Sequence, residues 1–220
     1  MKIENNKIYY WDCLEILPNI TEDYIIVTDP PFNIWYHYNH YTDDLDEQDY
    51  YEWLWNVFWE NPFVCIHYPE SLYKLSFQIW QFPEKVVSWV YNSNTAKQHR
   101  DIAFFWIKPD FKRLWQPYKN PTDKRIAKRI EEWKQARWYD WWNINQVKNV
   151  SKDKTNHPCQ MPLEVMENII KLLPEDKLIV DPFSWSWTTA LACKKLWRRF
   201  IWIDLSQEYV DIANERLLVS

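Results

Sequence analysis

Short apolar, β-branched runs alternate along this chain with longer stretches of helical period. Tyr24-Ile25-Ile26-Val27-Thr28 runs into Asp29-Pro30-Pro31, and proline cannot donate to a sheet ladder, so a buried strand should end at Thr28. Phe63 to His67, Lys85 to Val90 and Ile102 to Ile107 read as three more strands. From Pro162 to Leu173 the apolar positions Leu163, Val165, Met166, Ile169, Ile170 and Leu173 follow a helical period that Pro174 ends. Lys177 to Val180 predicts a strand delivering Asp181 to a turn, and a helix follows from about Thr188 to Leu196. A strand from Phe200 to Ile203 closes at Asp204, and Ser206 is placed to N-cap a final helix with Glu208 in its first turn. This β-α-β order predicts an α/β fold with a mainly parallel sheet flanked by helices, and chemistry at the carboxyl ends of the strands.

Composition narrows the class. The chain has 220 residues, 47% hydrophobic and 26% charged, which suits one α/β domain with or without an insertion and argues against disorder. Its start, MKIENNKIYY, lacks a signal-peptide core, and no run approaches the roughly 18 apolar residues of a membrane span, so the cytoplasm is expected. Cys13, Cys65, Cys159 and Cys193 form no C-x-x-C pair and read as reduced, mostly buried thiols, not as a metal site or a disulfide framework.

The net charge of −5 hides an asymmetry. Residues 1–84 carry 3 basic and 15 acidic groups, residues 85–160 carry 16 and 7, and residues 161–220 carry 7 and 9. The basic middle, with Arg100, Lys112, Arg113, Lys119, Lys124 and Arg125 among its cations, could neutralise phosphates. Lys124, Arg125, Lys128 and Arg129 also fit a solvated helix face. Acidic residues 43–52 are expected to form a mobile flap after the Asp-Pro-Pro turn.

Asp29, Asp181 and Asp204 each stand at a predicted strand end, where open α/β sheets bind ligands. In Asp29-Pro30-Pro31-Phe32 the second proline keeps Pro30 extended, so its carbonyl should lie beside the Asp29 carboxylate as a second acceptor. Such a pair suits both hydrogens of an exocyclic amine on a planar ring, with Phe32 as a stacking face. Holding those hydrogens raises electron density on a nitrogen whose lone pair is delocalised, and helps most in the transition state. A base within a duplex would have to flip out to reach this turn.

These residues resemble the amino-methylating DNA methyltransferases, which act on adenine N6 or cytosine N4. Asp29-Pro30-Pro31-Phe32 is similar to their catalytic motif, and Asp181-Pro182-Phe183-Ser184, with Ser186, Thr188 and Thr189, to their S-adenosylmethionine loop. Asn156-His157-Pro158-Cys159-Gln160-Met161-Pro162 resembles the segment before that loop, which implies His157 and Gln160 near the methionine end of the cofactor. Asp204 matches the acid that takes the ribose hydroxyls. With the catalytic motif first and the cofactor loop last, the order is that of the family's β group, and the resemblance covers nearly the whole chain.

The resemblance implies a Rossmann-like S-adenosylmethionine-dependent methyltransferase sheet with an inserted target-recognition region. Residues 1–91 would be the catalytic part, 92–155 the target-recognition and DNA-contact region, and 156–220 the cofactor-binding part. It also implies double-stranded DNA as substrate, no metal, and a restriction-modification setting with a homodimer and a cognate restriction endonuclease as candidate partners. Asp before Pro-Pro favours adenine over cytosine.

One departure is large. A chain this long should hold about fifteen glycines, yet it has 0, with 17 tryptophans. Family glycine positions fall at Trp11, Trp35, Trp185, Trp187, Trp197 and Trp202, so the economical reading is that glycines of a parent sequence stand here as tryptophan, with native tryptophans surviving among Trp53, Trp89, Trp141 and Trp142. Overpacking of about 1–3 kcal/mol per site, with added cost where φ is positive, predicts a destabilised chain whose Trp185 and Trp187 fill the cofactor's place. Met161, where the family commonly carries Lys, is a smaller departure.

Other classes fit less well. Pro158-Cys159-Gln160 resembles the nucleophile motif of carbon-5 cytosine methyltransferases, but here it precedes a helix and does not end a buried strand. A nicotinamide dehydrogenase would need G-x-G-x-x-G. A carbohydrate or base-stacking module would put the tryptophans on one face. A DNA-binding protein without catalysis has no use for three acids at strand ends.

Overall fold

The alternation of buried strands and amphipathic helices produces one eight-stranded sheet between two layers of helix. The protein is described by a computed structural model that covers residues 3–35, 43–147, 160–183 and 188–219. Along the chain its strands are β1 (Lys7–Tyr10), β2 (Tyr24–Thr28), β3 (Phe63–His67), β4 (Lys85–Val90), β5 (His99–Phe105), β6 (Trp115–Gln116), β7 (Ala136–Arg137), β8 (Trp141–Asn143), β9 (Leu178–Asp181) and β10 (Phe200–Asp204). The helices are α1 (Cys13–Ile16), α2 (Glu47–Phe58), α3 (Pro69–Gln78), α4 (Lys124–Glu131), α5 (Leu163–Leu172), α6 (Thr188–Lys195) and α7 (Gln207–Val219). The main sheet runs β1-β10-β9-β2-β3-β5-β4-β8, and β6 and β7 form a small separate ribbon.

Successive strand residues face opposite sides, so each central strand feeds two cores. On one face Ile25, Val27, Val64, Ile66 and Ile179 pack with Val165, Met166, Ile169 and Ile170 of α5. On the other, Ile26, Phe63, Cys65, Val180 and Ile201 pack with Leu54, Val57 and Phe58 of α2 and Leu72 and Leu75 of α3. Covering both faces is what lets β2, β3 and β9 be buried throughout and apolar up to their last residues, Thr28, His67 and Asp181.

Topology positions the site. The neighbours β1, β10, β9, β2 and β3 are parallel, so β2, β3, β9 and β10 end along one edge of the sheet. Strand β5 runs antiparallel to β3 with Asp101 opposite His67, which carries its amino end, and Arg100, to the same edge. Two strands of the 92–155 stretch, β5 and β8, belong to this main sheet.

Two expectations need correction. The strand expected over Ile102–Ile107 spans His99–Phe105 instead: its ladder with β4 continues through polar residues to His99, and Trp106 leaves the strand at φ 55°. Nor is the acidic stretch 43–52 a flap. Asp43 is buried and its carboxylate accepts from the backbone N–H groups of Asn33 and Ile34 at 2.8 and 3.0 Å, while Asp46 caps α2, which includes residues 47–52. The carboxylates serve the backbone donors after the proline turn and the start of a helix.

Helices α3, α4 and α6 end alike. In each, a tryptophan follows with left-handed backbone, Trp80 at φ 51°, Trp133 at 57° and Trp197 at 55°. The next residue's N–H reaches back to the carbonyl five positions earlier: Gln81 to Ser76, Lys134 to Arg129 and Arg198 to Cys193. This is a Schellman stop, whose left-handed position glycine usually fills. Trp35 and Trp106 also have positive φ, at 63° and 55°.

Candidate active site

Asp29, the first residue beyond β2, keeps part of its surface open, and Pro30 and Pro31 behind it are buried. Burial and repulsion from the Asp181 carboxylate push its pKa up to about 8, against the opposing pull of the Arg100 guanidinium. Asp181, at the end of β9, is tied into the fold. Its Oδ1 accepts from Thr28 Oγ1 at 2.8 Å and from the Phe183 N–H at 3.2 Å, and its Oδ2 from Thr189 Oγ1 at 2.6 Å. Burial raises its pKa to about 6 despite these bonds. Asp204, at the end of β10, accepts from the Ser206 N–H at 2.7 Å through Oδ1, and burial together with Asp181 raises its pKa to about 7. Ser206 caps α7 as expected, accepting from the Tyr209 N–H at 3.4 Å.

The Phe32 ring lies 4.4 Å from the His67 ring, 5.2 Å from that of Tyr68 in an edge arrangement, and 4.6 Å from the Arg100 guanidinium. Arg100 is thus at the strand ends beside the proline turn, with Nη1 3.7 Å from Met161 Sδ and a buried Nε that has no hydrogen-bond partner among the described residues. Phe183 is buried against Trp53, ring centres 5.0 Å apart. Thr188 donates to the Met161 carbonyl at 3.2 Å, and Gln160 is half-buried just before it. His157, Ser184, Ser186, Trp185 and Trp187 lie outside the described residues.

No described hydrogen bond, ion pair or ring contact joins the other basic candidates to Asp29, Phe32, Asp181 or Asp204. Lys112, Arg113, Lys119, Lys124 and Arg125 are exposed. Arg113 is committed within the fold, donating to the Leu173 carbonyl at 3.0 Å and pairing with Glu175 and Asp110. Lys119 sits over the rings of Tyr139 and Trp141 at 4.6 and 5.2 Å. Lys124 and Arg125 open α4, which has no buried residue, and a cavity of about 930 Å³ nearby is lined by Trp115, Tyr118, Arg129, Arg137 and Tyr139 among others.

Sequence reasoning missed Thr28, Asp43, Tyr50 and His67, all of which hold the site from behind. Thr28 stands next to Asp29 and could have been suspected; the other three are brought in by folding alone.

Three acids kept above their ordinary pKa by burial first, two of them also by Asp181, make an edge where ionised carboxylates are poorly compensated. That donor set fits a ligand carrying a cationic centre, and Asp204 Oδ2, without a described partner, fits a hydroxyl donor. Acids at the carboxyl edge of an open, mostly parallel sheet stand where a Rossmann-like fold binds its ligand. The structure resembles PvuII DNA methyltransferase, described as cytosine-N4-specific, with a TM-score of 0.68 at 18% identity, covering 97% of this chain and 86% of that one. It also resembles M1.HpyAVI solved with S-adenosylmethionine, with a TM-score of 0.58 at 23% identity, covering 96% and 98%.

Residues 24–215 match the DNA methylase family of N6 and N4 methyltransferases, and the chain belongs to it. Among relatives, the Type II methyltransferase M.HpaI of Haemophilus parainfluenzae is 27% identical over 94% of this chain and 72% of its own length. M.BglII of Bacillus subtilis is 26% identical over 96% and 69%. No helix among the described residues is long and apolar enough to cross a membrane.

Proposed function

We propose that this DNA amino-methyltransferase uses S-adenosylmethionine to methylate N6 of an adenine flipped out of double-stranded DNA. The observation that carries this reading is the Asp29-Pro30-Pro31-Phe32 turn, at the end of β2 on the sheet edge where β9 and β10 bring Asp181 and Asp204. Asp204 would hold the ribose hydroxyls, and Asp181, fixed by Thr28 and Thr189, would shape the backbone between β9 and α6 around the methionine portion. Gln160, Phe183 and Thr188 would line the same pocket; His157, Ser184 and Ser186, which the resemblance also assigns to it, lie outside the described residues. The cofactor, when bound, supplies an electrophilic methyl group on a sulfonium.

The chain's own residues do the rest. The Asp29 carboxylate and the Pro30 carbonyl accept the two amine hydrogens, and Phe32 supports the ring of the base. A carboxyl with a pKa of about 8 in the free protein is a proton acceptor suited to the methylated nitrogen, which must lose a proton to become neutral. A cation nearby favours ionised Asp29, so a positively charged cofactor readies the acceptor. Lys112, Lys119, Lys124 and Arg125 would meet phosphates, and Arg100 the target itself.

A second reading, cytosine N4 as acceptor, draws on the specificity of the PvuII enzyme. Incubating the protein with labelled cofactor and defined duplexes, followed by nucleoside analysis, tests both. N6-methyladenine is the expected product; N4-methylcytosine would establish the second reading. No transfer, from the chain as written or with glycine at 185 and 187, would refute both.

A further inference from the structure

Behind the catalytic turn, a buried chain of hydrogen bonds runs between three elements. Tyr50 of α2 donates its hydroxyl to the Pro31 carbonyl at 2.6 Å, and the same oxygen lies 3.0 Å from His67 Nε2 at the end of β3. His67 Nδ1 accepts from the Tyr68 N–H at 2.8 Å. An accepting Nδ1 is unprotonated, so the proton of the neutral ring is on Nε2 and is donated to Tyr50, whose own proton goes to Pro31. Burial first, then Arg100 and Lys97, depress the pKa of His67 to about 3, so the ring stays neutral and the direction of donation does not reverse at physiological pH.

Both residues are only 2% exposed, and the same imidazole packs against Phe32 at 4.4 Å. The two residues beyond Phe32 are clamped separately by Asp43. Among the described residues, Pro31 thus has its carbonyl taken from behind, while no other residue's hydrogen bond is described to the Pro30 carbonyl or to the Asp29 carboxyl, which meets only its own backbone N–H. Hydroxyl, imidazole and turn form a directional brace that does not itself draw on the two acceptors needed for an amine.

We propose that Tyr50 and His67 are positioning residues for methyl transfer: they fix the Pro31 carbonyl and the Phe32 ring so that Asp29 and Pro30 keep one geometry before the base arrives. This rests on the function proposed above and adds to it the parts that preorganise the acceptor pair. Such residues act through the turn, so their loss should lower the rate of the chemical step and spare the binding of either substrate.

The test uses the full chain, Tyr50→Phe, which keeps the ring and deletes only the hydroxyl, and His67→Gln, which retains a donor. Two readouts separate this proposal from the function beneath it. The first needs no activity: Asp29 is titrated through its carboxyl ¹³C signal, and ¹⁵N shifts of His67 are recorded. We expect the Nε2–H tautomer in the parent and, in Tyr50→Phe, an Asp29 midpoint lowered by on the order of one unit as water reaches a loosened turn. The second is steady-state transfer, in the chain as written and with glycine at 185 and 187. Here kcat should fall by about 10²-fold in Tyr50→Phe and less in His67→Gln, with KM for DNA and cofactor affinity kept. An Nδ1–H tautomer, or an unmoved Asp29 midpoint in a folded Tyr50→Phe, overturns the brace even if no transfer is measurable. An unchanged kcat, or equal losses in kcat and cofactor binding, overturns it where transfer is seen. Absent transfer in the parent with the expected NMR changes refutes the function and leaves the brace standing.

Discussion

The guanidinium of Arg100 lies 4.6 Å from the centre of the Phe32 ring, so the aromatic surface proposed for the target base carries a cation in the free protein. Tyr68 and Trp89 lie 5.7 and 5.6 Å from the same group. This arginine is also the charge that opposes the rise in the Asp29 pKa. Arg100→Met should let that pKa climb above about 8, moving the acid limb of the pH–rate profile upward by on the order of one unit. Transfer rates measured from pH 6 to 9.5 check this; an unmoved limb would show that Arg100 does not govern Asp29.

The three strand-end acids give stability a particular pH dependence. Asp29, Asp181 and Asp204 have folded pKa values of about 8, 6 and 7, above the ordinary carboxylate value of 3.8. Between those limits the native state holds protons that the unfolded chain has released. Their favourable contribution is therefore complete below about pH 4 and is lost as pH rises through 6 to 8. Thermal melting from pH 5 to pH 8.5 should show a falling midpoint, and Asp29→Asn should be a few degrees more stable than the parent at the alkaline end. A midpoint that rises over this range would contradict the raised pKa values.

The helix stops make a separate prediction. We read Trp80, Trp133 and Trp197 as standing at glycine positions: all three are left-handed, and they are 82%, 95% and 95% exposed, so their indoles contribute little packing. A left-handed L-residue costs about 1–2 kcal/mol, part of which glycine's greater freedom in the unfolded chain takes back. Trp133→Gly and Trp197→Gly should each stabilise by about 0.5–1 kcal/mol, read as a higher denaturant midpoint with an unchanged slope. Destabilisation at both sites would remove the backbone argument for tryptophan in place of glycine.

For DNA contact, Lys124→Ala and Arg125→Ala should weaken binding evenly across sequences. Each should also reduce the slope of log K against log salt by about one. A change confined to one duplex sequence would instead assign base reading to α4.

Much of this was legible in the chain. The strands Tyr24–Thr28, Phe63–His67 and Lys85–Val90 have the expected bounds because apolar runs closed by a proline pair, a proline-led helix or a turn leave little choice. The acids at 29, 181 and 204 meet at one edge because parallel pairing aligns their strands. Less visible were α2 and α3, whose aromatic and polar residues blur the helical period, and β1, a mixed strand at the sheet edge that needs β10 as partner. The brace could not be read at all. Tyr50 and His67 are seventeen positions apart, and nothing in their spacing says that α2 and β3 meet behind Pro31.

The most direct measurement compares Asp29→Ala with its parent, both carrying Trp185→Gly and Trp187→Gly, in two assays: methyl transfer to duplex DNA and calorimetric binding of S-adenosylmethionine. The account predicts that transfer falls by at least about 10²–10³-fold while cofactor affinity stays within about threefold. Undiminished transfer, or parallel loss of transfer and cofactor binding, would contradict it.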